Sequence, residues 1–144
     1  MLRHVAGIAE IVADWPAAVS FYRDTLGLEI KEQMEGAYAV VSVPGVLHFG
    51  VWNRADAAES VFGSREAIDR VPLGFTLEFE VDDVDAAAAQ LAANGCQLVT
   101  PPKTEPWGQK SCRMVAVGGG LLGFAETPWG RRISQQLVAE KPDA

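Results

Sequence analysis

The chain has 144 residues, 49% apolar and 22% charged, enough for a packed core in one compact domain or in two small modules that share one. Nineteen acids against twelve bases give a formal charge of −7, which argues against nucleic acid and anionic membrane surfaces, since both need a positive field. The same balance suits a cationic ligand as readily as an ordinary solvated surface.

The first dozen residues lack the apolar run of a secretion signal, with an acid at Glu10 and a second just beyond them at Asp14. No stretch nears the roughly 20 apolar residues of a membrane span. Cys96 and Cys112 show no CxxC spacing, so free thiols in a reducing cytoplasm are expected.

In chain order, residues 7–12 read as a short strand. Asp14 offers a helix N-cap, with Pro16 in the first turn. Trp15, Ala18, Val19, Tyr22 and Leu26 follow at helical spacing, and Gly27 stops the helix. Phe21, Tyr22 and Leu26 are expected in the core. Three β-rich runs come next, at 28–33, 37–43 and 46–52, separated by turns at 34–36 and at Pro44-Gly45. Residues 53–72, rich in Ala, Ser, Arg and Asp, read as a linker with one helical turn near 64–69. Then the pattern returns. Residues 76–81 alternate as a strand, Asp83 offers a cap, Val84, Ala87, Ala88 and Leu91 mark a helix, and Gly95 closes it. Residues 97–100 form a run that ends in a Pro-rich loop at Pro101, Pro102 and Pro106. Runs at 110–117 and 121–126 flank the turn Gly118-Gly119-Gly120. From Pro128 the chain is a polar tail, frayed or helical over 131–139.

Asp14 and Asp83 are 69 residues apart, and Gly27 and Gly95 are 68 apart. A strand, cap, helix and stop that recur within one residue are the mark of a duplication. The fold expected is α+β: two βαβββ modules, 1–52 and 73–127, forming paired curved mixed sheets around a cleft with the helices on the convex faces. Residues 53–72 link them and 128–144 trail. A cleft between curved sheets is a natural small-molecule site.

The run Val12-Ala13-Asp14-Trp15-Pro16-Ala17-Ala18-Val19-Ser20-Phe21-Tyr22-Arg23-Asp24-Thr25-Leu26-Gly27-Leu28-Glu29 resembles the first helix of the vicinal oxygen chelate superfamily. Glyoxalase I, extradiol dioxygenases, fosfomycin-resistance enzymes and bleomycin-resistance proteins belong to that superfamily. Phe79-Glu80-Val81-Asp82-Asp83-Val84-Asp85-Ala86, Ala93-Asn94-Gly95 and Pro106-Trp107-Gly108 match it as well, and the resemblance covers residues 4–127. It implies paired βαβββ modules and a homodimer. In the enzyme members it also implies a metal held by four His, Gln or Glu side chains from the first and last strands of each module.

Carried over by the caps, the first-strand ligand positions are Gly7 and Thr76, and the last-strand positions are Gly50 and Gly123. Val117-Gly118 stands where an Asp-Pro is usual. Glycine has no side chain and threonine is a poor ligand for a borderline divalent ion. No metal and no other cofactor is therefore expected at the standard site. A shifted site is the alternative, holding Zn, Ni, Mn or Fe. Alternation places Thr76, Glu78 and Glu80 on the cleft face and Leu77, Phe79 and Val81 under the helix, and it puts His48 with Gly50 and Trp52. Glu126 joins them if the last strand slips by one.

The candidate ligand-binding residues are thus His48, Trp52, Thr76, Glu78 and Trp107. The tryptophans serve as flat stacking surfaces or as plain packing. Glu78 is the candidate general base, a ligand hydrogen-bond acceptor, or merely a solvated carboxylate. His4 is expected at the rim, Glu10 on the helix side, and neither cysteine flanks a histidine that would activate it. Whether the chain is an enzyme stays open. The first reading is a metal-free small-molecule-binding protein of the bleomycin-resistance type, sequestering a drug or cationic metabolite. The alternative is a metal-dependent glyoxalase- or dioxygenase-like lyase or isomerase with non-standard ligands.

Overall fold

Asp14 and Asp83 each accept the amide three residues on, Ala17 N at 3.1 Å and Ala86 N at 3.0 Å, and so start the two helices of the repeat. The computed structural model describes residues 2–128 and 136. Apart from Gln136, the tail expected over 131–139 lies outside the described residues. The first module runs β1 (Leu2–Val12), α1 (Trp15–Ser20), β2 (Glu29–Met34), β3 (Tyr38–Ser42) and β4 (Phe49–Asn53). After α2 (Arg54–Phe62), the second runs β5 (Gly74–Val81), α3 (Val84–Ala93), β6 (Leu98–Thr104), β7 (Lys110–Val115) and β8 (Leu121–Glu126). The fold is α+β, and the eight strands join in one mixed sheet of order β2-β3-β4-β1-β5-β8-β7-β6. Within each module the first and last strands are parallel, β1 with β4 and β5 with β8. The modules meet through the antiparallel pair β1–β5, with Gly7 opposite Glu78 and Ala9 opposite Thr76.

Each helix covers the face that alternation assigns to it. Trp15 and Val19 of α1 pack on Ala39, Val41 and Val51, and the Trp15 indole donates to Val51 O at 3.1 Å. Val84, Ala87 and Ala88 of α3 pack on Val81, Cys112 and Phe124. Several expectations fail at the edges. Strand β1 starts at Leu2, because β5 pairs with it back to that residue. After Ser20 the helix widens into a π turn over Phe21–Thr25, which rotates its last residues off the core face. Tyr22 stays half-buried, but Phe21 and Leu26 are 48% and 52% exposed. Pro101 and Pro102 do not make a loop; they lie within β6. That strand is at the sheet edge, where a missing N–H breaks no second ladder.

The larger surprise is the segment between the modules. Asn53 caps it by accepting Ala55 N at 3.0 Å, and Gly63 ends it at φ 78°. Between them the nine-residue α2 buries Ala57, Ala58 and Val61 against Ile11, Val71 and Leu121. Ile11 and Leu121 share the face of Gly7 and Gly123, opposite to the α1 and α3 side. Helix α2 therefore roofs one end of the concave face. Its C-terminal half is tied there by polar groups of the second module. Thr100 Oγ1 donates to Val61 O at 2.7 Å, Lys103 Nζ donates to Ser60 O, and Ser60 Oγ donates to Glu105 at 3.0 Å. Glu105 in turn takes the Arg113 guanidinium at 2.9 Å, with both side chains almost fully enclosed. Glu105→Gln leaves Arg113 buried without a counter-charge, so its unfolding free energy in urea is expected to drop by about 3–5 kcal/mol. The double replacement Glu105→Leu with Arg113→Met should recover most of that loss; an equal loss in both variants would show that the pair does not govern the effect.

Candidate functional site

Side-chain parity across the sheet aligns one row on the concave face. Ile8 pairs with Phe49 and Ile8 N donates to His48 O at 3.0 Å, so His48 sits beside Gly7. Gly7 pairs with Glu78, Glu78 with Gly123, Gly123 with Arg113 and Arg113 with Thr100. The floor of the cleft thus reads imidazole, glycine, carboxyl, glycine, guanidinium. The glycines decide where the large side chains lie. A Cβ on Gly7 would touch the His48 ring at 3.2 Å, and one on Gly123 would touch Glu78 Cγ and Oε2 at 3.3 Å. A Cβ on Gly50 would overlap the Tyr38 hydroxyl. His48 therefore leans over Gly7, Glu78 over Gly123, and Tyr38 over Gly50.

Tyr38 Oη and His48 Nε2 lie 2.6 Å apart with their rings stacked at 19°. Burial, with a smaller contribution from the Glu78 charge, keeps the phenol protonated by raising its pKa. Burial also lowers the His48 pKa, partly offset by Glu32, so the pair is neutral at pH 7. Beside it an open hollow of about 160 Å³ is lined by Glu32, Gln33, Met34, Tyr38 and Val40. Glu78 is half-buried and its pKa is raised, chiefly by burial and further by Glu105, against the opposing pull of Arg113 and Gln109. Gln109 Nε2 donates to Glu78 Oε1 at 2.8 Å, and the Trp107 indole N–H donates to Gln109 Oε1 at 2.8 Å.

The residues singled out from the sequence are partly gathered here. His48 and Glu78 share the row, two strands apart. Trp52 faces the same side, edge-on to Tyr38 and with its ring 5.8 Å from the Arg113 guanidinium, but it also packs, partly buried, against the α2 cluster. Thr76 is on the face with its hydroxyl spent on Leu121 O at 2.8 Å. Trp107 is 51% exposed at the rim and anchors Gln109. Glu80 pairs with Thr127 N at 2.7 Å. Glu126 is on the other face, where it accepts Val84 N at 2.8 Å and caps α3, so no slip of the last strand brings it to the cleft. Glu10 accepts the Tyr22 hydroxyl at 2.7 Å on the helix side. His4 lies opposite Glu80 on β1. Cys112 is enclosed under α3, and burial pushes its thiol up, away from a reactive thiolate. Tyr38, Arg113, Glu105 and Gln109 escape sequence reasoning; the one available signal for Arg113 and Gln109 is their alternation along residues 109–113.

The donor chemistry at the four positions implied by the resemblance does not fit a divalent ion. Gly7, Gly50 and Gly123 offer no side-chain donor, the space above Gly50 belongs to Tyr38, and the Thr76 hydroxyl is engaged. Among the described residues, no three of His, Cys, Asp and Glu are grouped as a cation site requires.

The chain belongs to the Glyoxalase/Bleomycin resistance protein/Dioxygenase superfamily, whose family model matches residues 2–134. Solved structures of that fold superpose on it. One is a superfamily member from Vibrio splendidus, 21% identical with a TM-score of 0.58, covering 88% of this chain and all of that one. Another is methylmalonyl-CoA epimerase from Streptomyces coelicolor in complex with 2-nitronate-propionyl-CoA, 20% identical with a TM-score of 0.63, covering 89% and 96% of the two chains. The epimerase from Mycobacterium tuberculosis is 22% identical with a TM-score of 0.61, covering 91% and 93%. No curated protein sequence matches the chain.

Because Glu78 has a folded-state pKa above its ordinary value of 4.5, it favours the folded state at low pH and loses that contribution as pH rises from 4.5 through the folded value. Glu78→Gln is therefore expected to raise the melting temperature at pH 7 to 8, with the gain vanishing below about pH 4.5. Thermal denaturation of both proteins from pH 4 to 8 checks this. A second variant, Gly50→Ala, should push the Tyr38 ring aside and cost about 1–3 kcal/mol of stability, measured in urea.

Proposed function

We propose that this chain is a small-molecule-binding protein of the bleomycin-resistance type that holds its ligand on the concave row without a metal ion. The cross-strand row carries the reading. Its glycines keep the floor low, and Glu105 already neutralises Arg113, so Glu78 is the one carboxyl of the row left for a ligand's positive group. Glu32 beside the hollow adds a second acid, and the chain's charge of −7 draws cations toward it. Tyr38 and His48 offer a neutral aromatic wall. The hollow, about 160 Å³, is smaller than the roughly 300–1,000 Å³ of common ligand pockets, which points to a compact ligand such as an aromatic amine, either a drug or a metabolite. Glu78 also retains the option of acting as a base in metal-free chemistry.

The competing reading is a metal-dependent glyoxalase- or dioxygenase-like enzyme with non-standard ligands. It has His48 and Glu78 as donors, two strands apart. The homodimer is likewise part of the proposal; Phe21, Leu26, Leu73 and Phe75 supply exposed apolar surface for it. No helix among the described residues is long and apolar enough to cross a membrane, and a cytoplasmic setting remains part of the same reading.

Elemental analysis of protein purified without chelator tests the metal question. Less than about a tenth of an equivalent of Ni, Zn, Mn or Fe is expected; one equivalent that is lost in His48→Ala or Glu78→Gln would establish the competing enzyme. In parallel, native mass spectrometry against aromatic amines and matched carboxylates should show adducts with the amines, lost in Glu78→Gln.

A further inference from the structure

Glu78 is not free to turn. An indole N–H only donates, so Gln109 must give Trp107 its carbonyl oxygen and present its NH₂ to Glu78. The donor–acceptor order along Trp107, Gln109 and Glu78 is thereby fixed without reference to how the amide is drawn. Glu78 Oε1 is consequently an acceptor in both protonation states, and the acid proton belongs on Oε2. Among the described residues none donates to Oε2. No buried side-chain polar atom among them lacks a partner, so Oε2 is the oxygen open to the cleft. Gly123 leaves it room, since a Cβ there would meet it at 3.3 Å.

We propose that Gln109, locked by Trp107, is the residue that decides what the cleft accepts: it takes one oxygen of Glu78 and aims the other at the ligand, where an ammonium or amidinium group displaces the acid's proton. This rests on the functional reading above and deepens it. Pinned by one oxygen, Glu78 meets the ligand in a single orientation, as a donor when protonated and as an ion-pair partner when not. Below the Glu78 midpoint, binding of a cation then converts a carboxylic acid and a free cation into a carboxylate–cation pair and one proton released to solvent. The charged and titratable groups around Glu78 do not supply that cation themselves. On β7, Arg113 is held by Glu105 at 2.9 Å. On β5, Glu80 is an acid bonded to Thr127. From β3 and the approach to β4, Tyr38 and His48 face it as a neutral pair. On β1 and β8 its neighbours are Gly7 and Gly123. Burial favours the protonated form at rest, while Gln109 and Arg113 limit how far.

Gln109 is a positioning residue, so its test needs a readout that simple destabilisation would not move. The Glu78 carboxyl can be titrated by carbon-13 NMR in the unliganded protein, and calorimetry with benzamidinium and benzyl alcohol can be run in two buffers of different ionisation enthalpy. In the wild type the cation should bind with proton release, its affinity rising up to about tenfold per pH unit until Glu78 ionises. Gln109→Leu removes the donor to the carboxylate. It should raise the Glu78 midpoint and weaken benzamidinium about tenfold at a pH below both midpoints, leaving the alcohol within about twofold. Trp107→Phe should shift the midpoint in the same direction by less, and Gln109→His, which keeps a donor, should move it back toward the wild type. An unmoved Glu78 midpoint in Gln109→Leu, or cation binding without proton release at a pH below that midpoint, overturns the proposal. A moved midpoint with no probe bound by the wild type overturns the functional reading and cation displacement with it, while leaving the locked geometry in place.

Discussion

Strand β1 lies antiparallel to β5 with Gly7 against Glu78 and Ala9 against Thr76, and this register governs what the cleft contains. Strand side chains alternate, so a one-residue slip would send Glu78 under α3 and bring Phe79 onto the concave floor. The pairing also makes one sheet of two modules. Residues from the approach to β4 and from β1, β5, β8 and β7 then meet in a single row, although they come from positions as far apart as 7 and 113 in the chain.

Within that row, small residues position the large ones. Gly7, Gly50 and Gly123 have no contacts of their own to offer, yet each sets where a neighbour folds: His48, Tyr38 and Glu78. The positions that the superfamily resemblance marks for metal ligands have become space for side chains two or more residues away. The buried Glu105–Arg113 pair completes the arrangement by turning the guanidinium toward Glu105, so that it only partly compensates Glu78. The same pair holds the carboxyl end of α2 over one end of the floor through Ser60.

Much of this was legible from the chain alone, and the exceptions have physical causes. The repeat of Asp14 and Asp83 gave both helix starts, and alternation placed Glu78 in the cleft and Phe79 under α3. Helix α2 went unread because its buried stripe, Ala57, Ala58 and Val61, is small and is interleaved with Arg54, Asp56, Glu59 and Ser60; its stability comes from Ile11 and Leu121, which are remote in sequence. Gln109, Glu105 and Arg113 went unread for a related reason. A charged or amide side chain reads as solvent-facing until its partner is known; Gln109 finds Glu78 and Glu105 finds Ser60, 31 and 45 residues distant, and Arg113 is enclosed only because Glu105, eight residues before it, is held there. Tyr38 pairs with Trp52 by register and reaches Gly50 only by leaning across the pleat, which no pattern of residue types reveals. Phe21 and Leu26 misled because the π turn breaks the 3.6-residue period on which their assignment rested.

The prolines of β6 have a consequence beyond their own strand. An eight-stranded open sheet ends in two rows of backbone groups that invite further strands. At one end stands β6, with Pro101 and Pro102 in its middle; at the other stands β2, which carries Glu29, Lys31 and Glu32. One edge lacks two of the amides a continuing ladder would use, and the other lines its strand with charged side chains. Both features disfavour growth by strand addition at the ends of the sheet.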